Sequence, residues 1–414
     1  MRILRKKVFF FFFCFSCLAL YFLFSIISQN SSSFISVNAS STSPSSVTPS
    51  SIPPTPTPTP QPLPVTKTIS FSATGDNLIH DALYQQATKN ASAPEQYDFS
   101  ALYEHIAPFY QNYDINWINQ ETLINDVYAP SSYPFFSSPG DLGRHLYDIG
   151  FRVFSISNNH TYDKGLGGIT ATQEFWSSMP DDTLTVGLFS DNWIEDIVFQ
   201  TVDGIKIAYL SYTEYTNGIP KPKGSSHYVI LTSQTDLLQQ QIEYAQSLAD
   251  FVIVGLHWGI ENSHITQENQ KELAQQIADW GADVIIGTHP HVVQDLEWKT
   301  ASDGRQVLVA YSLGNFVSRQ SIADNLLGII LTFDLSLTTY PDQSVEKSIS
   351  NPKAWPIITH YGLGYDKVRV YLFSDYTEEL ANTHGVKKFS PHFNYPYAES
   401  VFNNYIQQQF LSYS

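Results

Sequence analysis

After residue 17 the chain contains no cysteine. Cys14 and Cys17 are its only two thiols, so nothing downstream can form a disulfide or act as a sulfur nucleophile. The fold has to be held by its core or by metal. There is no G-x-S-x-G elbow, no G-x-x-x-x-G-K-[ST] phosphate loop, no G-x-G-x-x-G opening and no H-E-x-x-H helix, which removes the motif-bearing serine hydrolases, P-loop and dinucleotide enzymes and zincins. Positive charge is scarce as well. Four of the 22 basic residues, Arg2, Arg5, Lys6 and Lys7, are the only charged side chains before Lys67, leaving 18 basic against 39 acidic residues and a formal charge of −21. A field of that sign repels nucleic acid, anionic lipid and acidic polymers over roughly 8–10 Å. Nucleic acid is therefore not an expected partner, and an anionic substrate needs a local cationic site.

What is present begins with a membrane signal. Val8 to Ser28 carries no charge, and 21 residues at about 1.5 Å each make roughly 31 Å of helix, enough to cross a bilayer. The basic residues before it place the N-terminus in the cytoplasm. A cleaved signal peptide is the competing reading, but its apolar region is about 7–15 residues and ends at a small-residue site; the nearest match, Val37-Asn38-Ala39, lies past the segment. From Gln29 to Thr66 the chain is almost entirely Ser, Thr and Pro, too polar to fold and suited to an extended stalk. Expected boundaries are therefore a tail over 1–7, an anchor over 8–28, a linker over 29–66, a folded α/β domain over 67–335 and an extension over 336–414 that completes the same domain.

Within the body, apolar runs alternate with helical periodicity. Leu238, Ile242, Ala245 and Ala249 form one helical stripe, and Leu273, Ala274 and Ile277 another that ends at Gly281. Strand, helix, strand, helix, strand predicts a parallel sheet whose right-handed crossovers bring strand ends to one edge. Five strand-like runs finish in polar residues: ISFSAT before Gly75 and Asp76, DINWIN before Glu121, RVFSIS before Asn158, Asn159 and His160, FVIVGL before His257, and ADVIIGT before His289-Pro290-His291. Such edges are where α/β folds place ligands.

Each residue has a bland alternative. Gly-Asp is ordinary turn punctuation, Asn tolerates turn geometry, and Glu121 alone reads as a solvated carboxylate. A lone histidine after a strand, such as His257, is often a hydrogen-bonded core residue. Imidazole, however, is a common ligand of borderline divalent metals, and Pro290 fixes the backbone that aims its two neighbours. The constellation supports all of them together as metal ligands, with one of the two asparagines left to the turn, His160 as an acid, and Asp163, Glu261 and Asn315 in support. The other eight histidines lack comparable context.

Read in order, SFSATGDNLIH, NQET, SISNNHTYDKGLGG, VGLHWGIE, GADVIIGTHPHVVQDLE and VAYSLGNF resemble the signature segments of the CapA family, the poly-γ-glutamate capsule biosynthesis proteins, whose domain is similar to the calcineurin-like metallophosphatases. The resemblance covers roughly Ile69 to Phe316. It implies a metallophosphatase-type αββα sandwich with two divalent ions (Mn, Fe or Zn) facing the outside of the cell. One ion would take Glu121, Asn159, His257 and His289, the other Asp76, Glu121 and His291. The superfamily opens with Asp-x-His, but here the third position is Leu78, which binds no metal, and His80 reaches in only if the turn bends sharply. The expected function is a surface-anchored, metal-dependent phosphoesterase of capsule or envelope polymer assembly, acting on an anionic polymer or phosphoester and working with membrane-embedded polymer synthase components. The alternative is a non-catalytic scaffold for those components.

Overall fold

The computed structural model describes residues 62–413; the expected anchor at 8–28 and the stalk up to residue 61 lie outside the described residues. Among the described residues no helix is long and apolar enough to cross a membrane. Along the chain run β1 (Val65–Asn77), α1 (Asp81–Asn90), α2 (Ser100–Tyr103), α3 (Ala107–Tyr110), β2 (Ile115–Asn119), β3 (Ile124–Asn125), β4 (Ser138–Pro139), α4 (Gly140–Asp148), β5 (Val153–Ser155), α5 (Gly165–Ser177), β6 (Leu184–Val186), β7 (Val198–Val202) and β8 (Ile205–Thr213). There follow α6 (Thr235–Leu248), β9 (Phe251–His257), α7 (Glu268–Trp280), β10 (Val284–Thr288), β11 (Leu296–Thr300), β12 (Gln306–Ala310), β13 (Asn315–Val317), β14 (Leu327–Thr339), β15 (Val345–His360), β16 (Arg369–Leu372), α8 (Glu378–Thr383) and α9 (Tyr395–Tyr405).

These strands build two large sheets, one ordered β16-β15-β14-β1-β2-β5-β6 with β13 beside β1, the other β11-β12-β10-β9-β8-β7. In the first, β1, β2, β5 and β6 are parallel, while β14 joins β1 antiparallel along ten paired residues. In the second, β8, β9, β10 and β12 are parallel. The strand β14 runs through residue 335, and β15 and β16 extend the same sheet, so no domain boundary falls at that point. β1 likewise starts at Val65, two residues inside the expected linker.

Alternation along the central strands explains the layers. Ile207, Tyr209, Phe251, Ile253, Val284 and Ile286 share one buried cluster with Phe71 and Trp117 of the first sheet. Their neighbours Ala208, Leu210, Val252, Val254 and Ile285 instead join Leu238, Ile242 and Ala245 of α6 and Ala274 and Ile277 of α7. Both faces of each strand are apolar because both are covered, as parallel sheets require. On the far side of the first sheet, Phe154 meets Trp176 of α5 at 4.5 Å between ring centroids. The order is helix, sheet, sheet, helix.

At the edge where the parallel strands end, backbones approach closely. A Cβ built on Gly75 meets the Gly314 carbonyl oxygen at 1.8 Å, and one on Gly287 meets the Tyr311 oxygen at 1.9 Å. Both obstacles are backbone, which cannot rotate away. Gly75→Ala should therefore cost about 1–3 kcal/mol through overpacking, seen as a lower urea midpoint for the body. An unchanged midpoint refutes the close approach.

Behind this edge, the last part of the chain buries two neutral histidines. His384 donates from Nε2 to the Thr359 carbonyl (2.9 Å) and accepts the Val386 N–H at Nδ1 (3.0 Å). Burial, with His360 and Lys387 adding, lowers its pKa to about 3. Burial and then Arg369 lower His360 to about 4. Both folded-state values lie below the unfolded 6.5, so their contribution is full above pH 6.5 and is lost as pH falls from there toward 4. The thermal midpoint should drop over that window, and less steeply in His384→Gln. Parallel pH profiles for the two proteins would contradict the assignment.

Candidate metal centre

The parallel register delivers the site. Asp76 pairs with Asn315 of β13 and with Asn119 of β2, while Thr288 of β10 pairs with His257 of β9. Asp76, Glu121, Asn159, His160, His257, His289 and His291 are all buried at this edge. Convergence comes from strands ending together.

Glu121 lies at the centre. Its Oε2 is 3.9 Å from His291 Nδ1, and its Oε1 is 3.8 Å from His257 Nε2 and 3.9 Å from His160 Nε2. Neither oxygen has a hydrogen-bond partner. On one side, His257 Nε2 stands 3.0 Å from Asn159 Oδ1 and 3.1 Å from His289 Nδ1. Thr288 Oγ1, 3.0 Å from His257 Nδ1, holds the ring. The Asn159 amide donates to Asn217 Oδ1 (3.3 Å), which turns its oxygen inward. On the other side, His291 Nδ1 lies 3.1 Å from Asp76 Oδ2 and 3.0 Å from Asn315 Oδ1. Asp76, Glu121 and His291 each aim a ligand atom into one space, all within 4.8 Å of one another.

Asn315 holds a more direct position than a supporting one. Its amide nitrogen faces three acceptors, Ser318 Oγ at 3.2 Å, Gln320 Oε1 at 2.8 Å and the Asn325 carbonyl at 2.8 Å. The carboxamide therefore cannot flip, and its oxygen must face Asp76 and His291. Leu78 is buried. His80 does not join the centre, since its Nδ1 lies 3.1 Å from the Leu78 carbonyl and 3.3 Å from the Arg319 N–H. Asn158 is the turn residue of its pair, accepting the His160 N–H at 3.0 Å and donating to the Gln120 carbonyl at 3.1 Å. Asp163 Oδ2 takes His160 Nδ1 at 2.8 Å and the Phe136 N–H at 2.6 Å. Glu261 differs from its expected role: it is exposed, and it acts on Glu121 and His291 through charge alone.

The electrostatics call for a cation. Burial first, with the charges of Asp76, Glu261 and Asp163, pushes the Glu121 carboxyl well above its usual range, against the pull of His291. Burial, the other imidazoles adding, drives His257 well below its ordinary value and His289 to about 3. His291 is the exception: burial opposes its charge, but Glu121 and Asp76 hold it up to about 9. Burial thus favours the neutral forms of Glu121, His257 and His289, while the cationic His291 stands against Asp76, and a cation entering would take the place of the proton on Glu121. Oxygen and nitrogen donors with an unpartnered carboxylate between them fit a divalent ion.

Backbone strain marks the same spot. His289 and His291 have φ of 97° and 60°, values that non-glycine residues rarely adopt and that persist only where surrounding contacts enforce them. The Asp76 carboxylate accepts the His289 N–H (3.2 Å), and the Pro290 carbonyl accepts the Asn262 N–H (2.8 Å).

Sequence reasoning missed several neighbours. Asn119 donates to Asp76 Oδ1 at 2.7 Å; its place on the same strand face as Trp117 was a usable signal. Tyr215, whose hydroxyl bonds His289 Nε2, and Phe136, edge-on to His160 at 4.7 Å, come from loops whose position no periodicity reveals.

Residues 70–320 match the family described as "Bacterial capsule synthesis protein PGA_cap". The chain is 26% identical over 258 residues to the PGA biosynthesis protein CapA of Bacillus subtilis (strain 168), covering 61% of this chain and 66% of that one. It is 30% identical over 236 residues to the capsule biosynthesis protein CapA of Bacillus anthracis, covering 54% and 55%. It thus spans less than two thirds of either relative. Among solved structures, the NAD nucleotidase of Haemophilus influenzae aligns at 13% identity over 82% of this chain and 60% of that one, with a TM-score of 0.38. The 5'-nucleotidase of Candida albicans aligns at 13% over 68% and 51%, with a TM-score of 0.34. Likenesses of that size carry no weight for the site. The family match takes in more than half of the sequence and every residue from Asp76 to Asn315 described above, and this chain belongs to the bacterial capsule synthesis protein family.

Proposed function

We propose that this protein is a metal-dependent phosphoesterase of capsule or cell-envelope polymer biosynthesis, held by residues 8–28 at the membrane with its body outside the cell. The observation that carries the reading is Glu121, a buried carboxylate with two unpartnered oxygens between two sets of donors. One set is Asn159, His257 and His289; the other is Asp76, His291 and, in place of a histidine at position 78, Asn315. Divalent ions held by these residues would supply Lewis acidity, lowering the pKa of water and offsetting charge on phosphoryl oxygens.

The chain's own residues supply the rest. Asp163 Oδ2 accepts a hydrogen bond from His160 Nδ1–H, which fixes the tautomer and leaves Nε2 facing Glu121. Phe136 restrains the ring from its edge. In this arrangement His160 delivers a proton to the leaving oxygen while Asp163 stabilises the imidazolium. A cationic centre also answers the −21 body charge, because bound ions invert the local field where an anionic polymer or phosphoester must dock. Working partners are membrane-embedded polymer synthase components, and nucleic acid is excluded by the same charge.

Two measurements test this. Titration of the chelated body with manganese should show two affinities. The tighter should be lost in His257→Ala, and the weaker in His291→Ala and reduced in Asn315→Ala; no binding in the wild type overturns the metal reading. Turnover of bis-nitrophenyl phosphate should require added metal, and His160→Asn should lower kcat by about 10²–10⁴ with both affinities kept. Asp163→Asn should cause a smaller loss. Full metal binding without turnover of any phosphoester would instead establish the scaffold role.

A further inference from the structure

A cavity of about 360 Å³ opens between α1, Arg319 and the segment from Gly364 to Arg369. Four cations line it, Lys89, Arg319, Lys367 and Arg369, against two carboxylates, Asp81 and Asp366. In a body with 18 basic and 39 acidic residues, a net positive pocket runs against the average. Nearby, Lys388 and Arg319 both lie over the Tyr365 ring, at 5.1 and 4.8 Å from its centroid, so Lys388 adds to the same field.

Each of the two arginines has one internal carboxylate partner, and the two lysines have none among the described residues. Arg319 Nη2 reaches Asp81 at 3.1 Å, but its Nε is buried without a partner. Arg369 Nε pairs with Glu104, which lies outside the lining, at 2.5 Å. Among the described residues no carboxylate lies within ion-pair distance of Lys89 or Lys367. Lys89 and Lys367 are exposed, so water screens their mutual repulsion and both ammonium groups remain open to an anion.

The pocket also belongs to the edge that carries the metal residues. Asp81 lies five residues after Asp76, and Arg319 four after Asn315, whose strands pair side by side. Four residues span at most about 14 Å, so the two sites are within reach of one extended ligand. The Arg319 N–H donates to His80 Nδ1 at 3.3 Å, and Phe136 packs edge-on against both His80 and His160, at 5.5 and 4.7 Å. His80 and Phe136 thus form a chain of contacts from Arg319 of the pocket to His160 of the centre.

We propose that this cavity is an anion-binding subsite that grips a charged group of a polyanionic chain several ångströms from the bond presented to the metal centre. Binding in the pocket stands on its own lining; the link to a reacting bond rests on the phosphoesterase reading above. Forked Arg319 and Arg369 suit carboxylate and phosphate oxygens alike, so the shared chemistry is a chain with a negative charge on each monomer.

The test uses two probes, inorganic polyphosphate and polyglutamate, titrated into the body with metal chelated and with manganese added. At least one should bind the chelated protein. In the Lys89→Gln/Lys367→Gln double variant that binding should weaken about ten-fold, and the slope of log affinity against log salt should fall by about two. Lys271→Gln, an exposed lysine on α7, should leave both unchanged. Whichever probe responds identifies carboxylate or phosphate as the group held. No binding of either probe, binding that needs metal, or equal affinity in the double variant would each overturn the proposal. The metal titration is read separately, so loss of the subsite and loss of the metal centre are told apart.

Discussion

A carboxyl group placed out of water between six donor side chains, and hydrogen-bonded to none of them, is the constraint on which this structure turns. Taking a carboxyl out of water penalises its charged form, and Glu121, fully buried against the β1–β2 ladder with no hydrogen-bond partner for either oxygen, is held well above the usual carboxylate range. The surroundings do not relieve it: His257 and His289 are held neutral by burial, and His291 must serve Asp76 as well. A divalent ion bound among these donors would take the place of the protons held on Glu121 and His291. The fold and the centre are therefore one problem, since the strand ends that bury Glu121 also meet closely enough at Gly75 and Gly287 to exclude any Cβ.

How much of this was legible in the sequence depends on which force set each feature. Parallel strands ending in polar residues were readable, because a continuous Val, Ile and Leu run must be buried on both faces, and a carboxylate or imidazole directly after it marks where the strand reaches the sheet edge. The helical stripes before β9 and β10 were readable from their period alone. Asn119 was half readable, as the inward-facing residue at the end of β2. Tyr215, Phe136 and Asn217 were not, because loop residues are positioned by tertiary contacts that carry no period. Asn315 is the instructive case. Its amide is aimed by three acceptors within ten residues of it, a local network whose existence follows only once β13 is seen lying beside β1.

The exchange at position 78 shows how such a centre tolerates change. A histidine two residues after Asp76 would approach from β1 itself; here Leu78 turns into the core and His80 is engaged with Arg319. The neutral oxygen comes instead from the neighbouring strand, on the residue directly paired with Asp76. Register makes this substitution possible: residues opposite one another on adjacent strands present side chains within about 5 Å. An amide oxygen is a weaker donor than imidazole toward borderline metals and a better match for harder ones, so under the metal reading proposed above Asn315 would tilt that position toward a harder ion.

Charge distribution joins the two anion-attracting features to the rest. A body of −21 slows the approach of any polyanion from solution, an effect that weakens with salt over about 8–10 Å. Within that field, a cation-lined pocket and a cation-demanding centre at the same sheet edge create one corridor where the sign reverses. An isolated positive site on an acidic protein would capture small anions indiscriminately. Two such sites separated by a few residues of extended chain favour a ligand that reaches both, because the second contact is made at the high effective concentration set by the first. Length, more than the identity of any single group, is then what the acidic surface selects for.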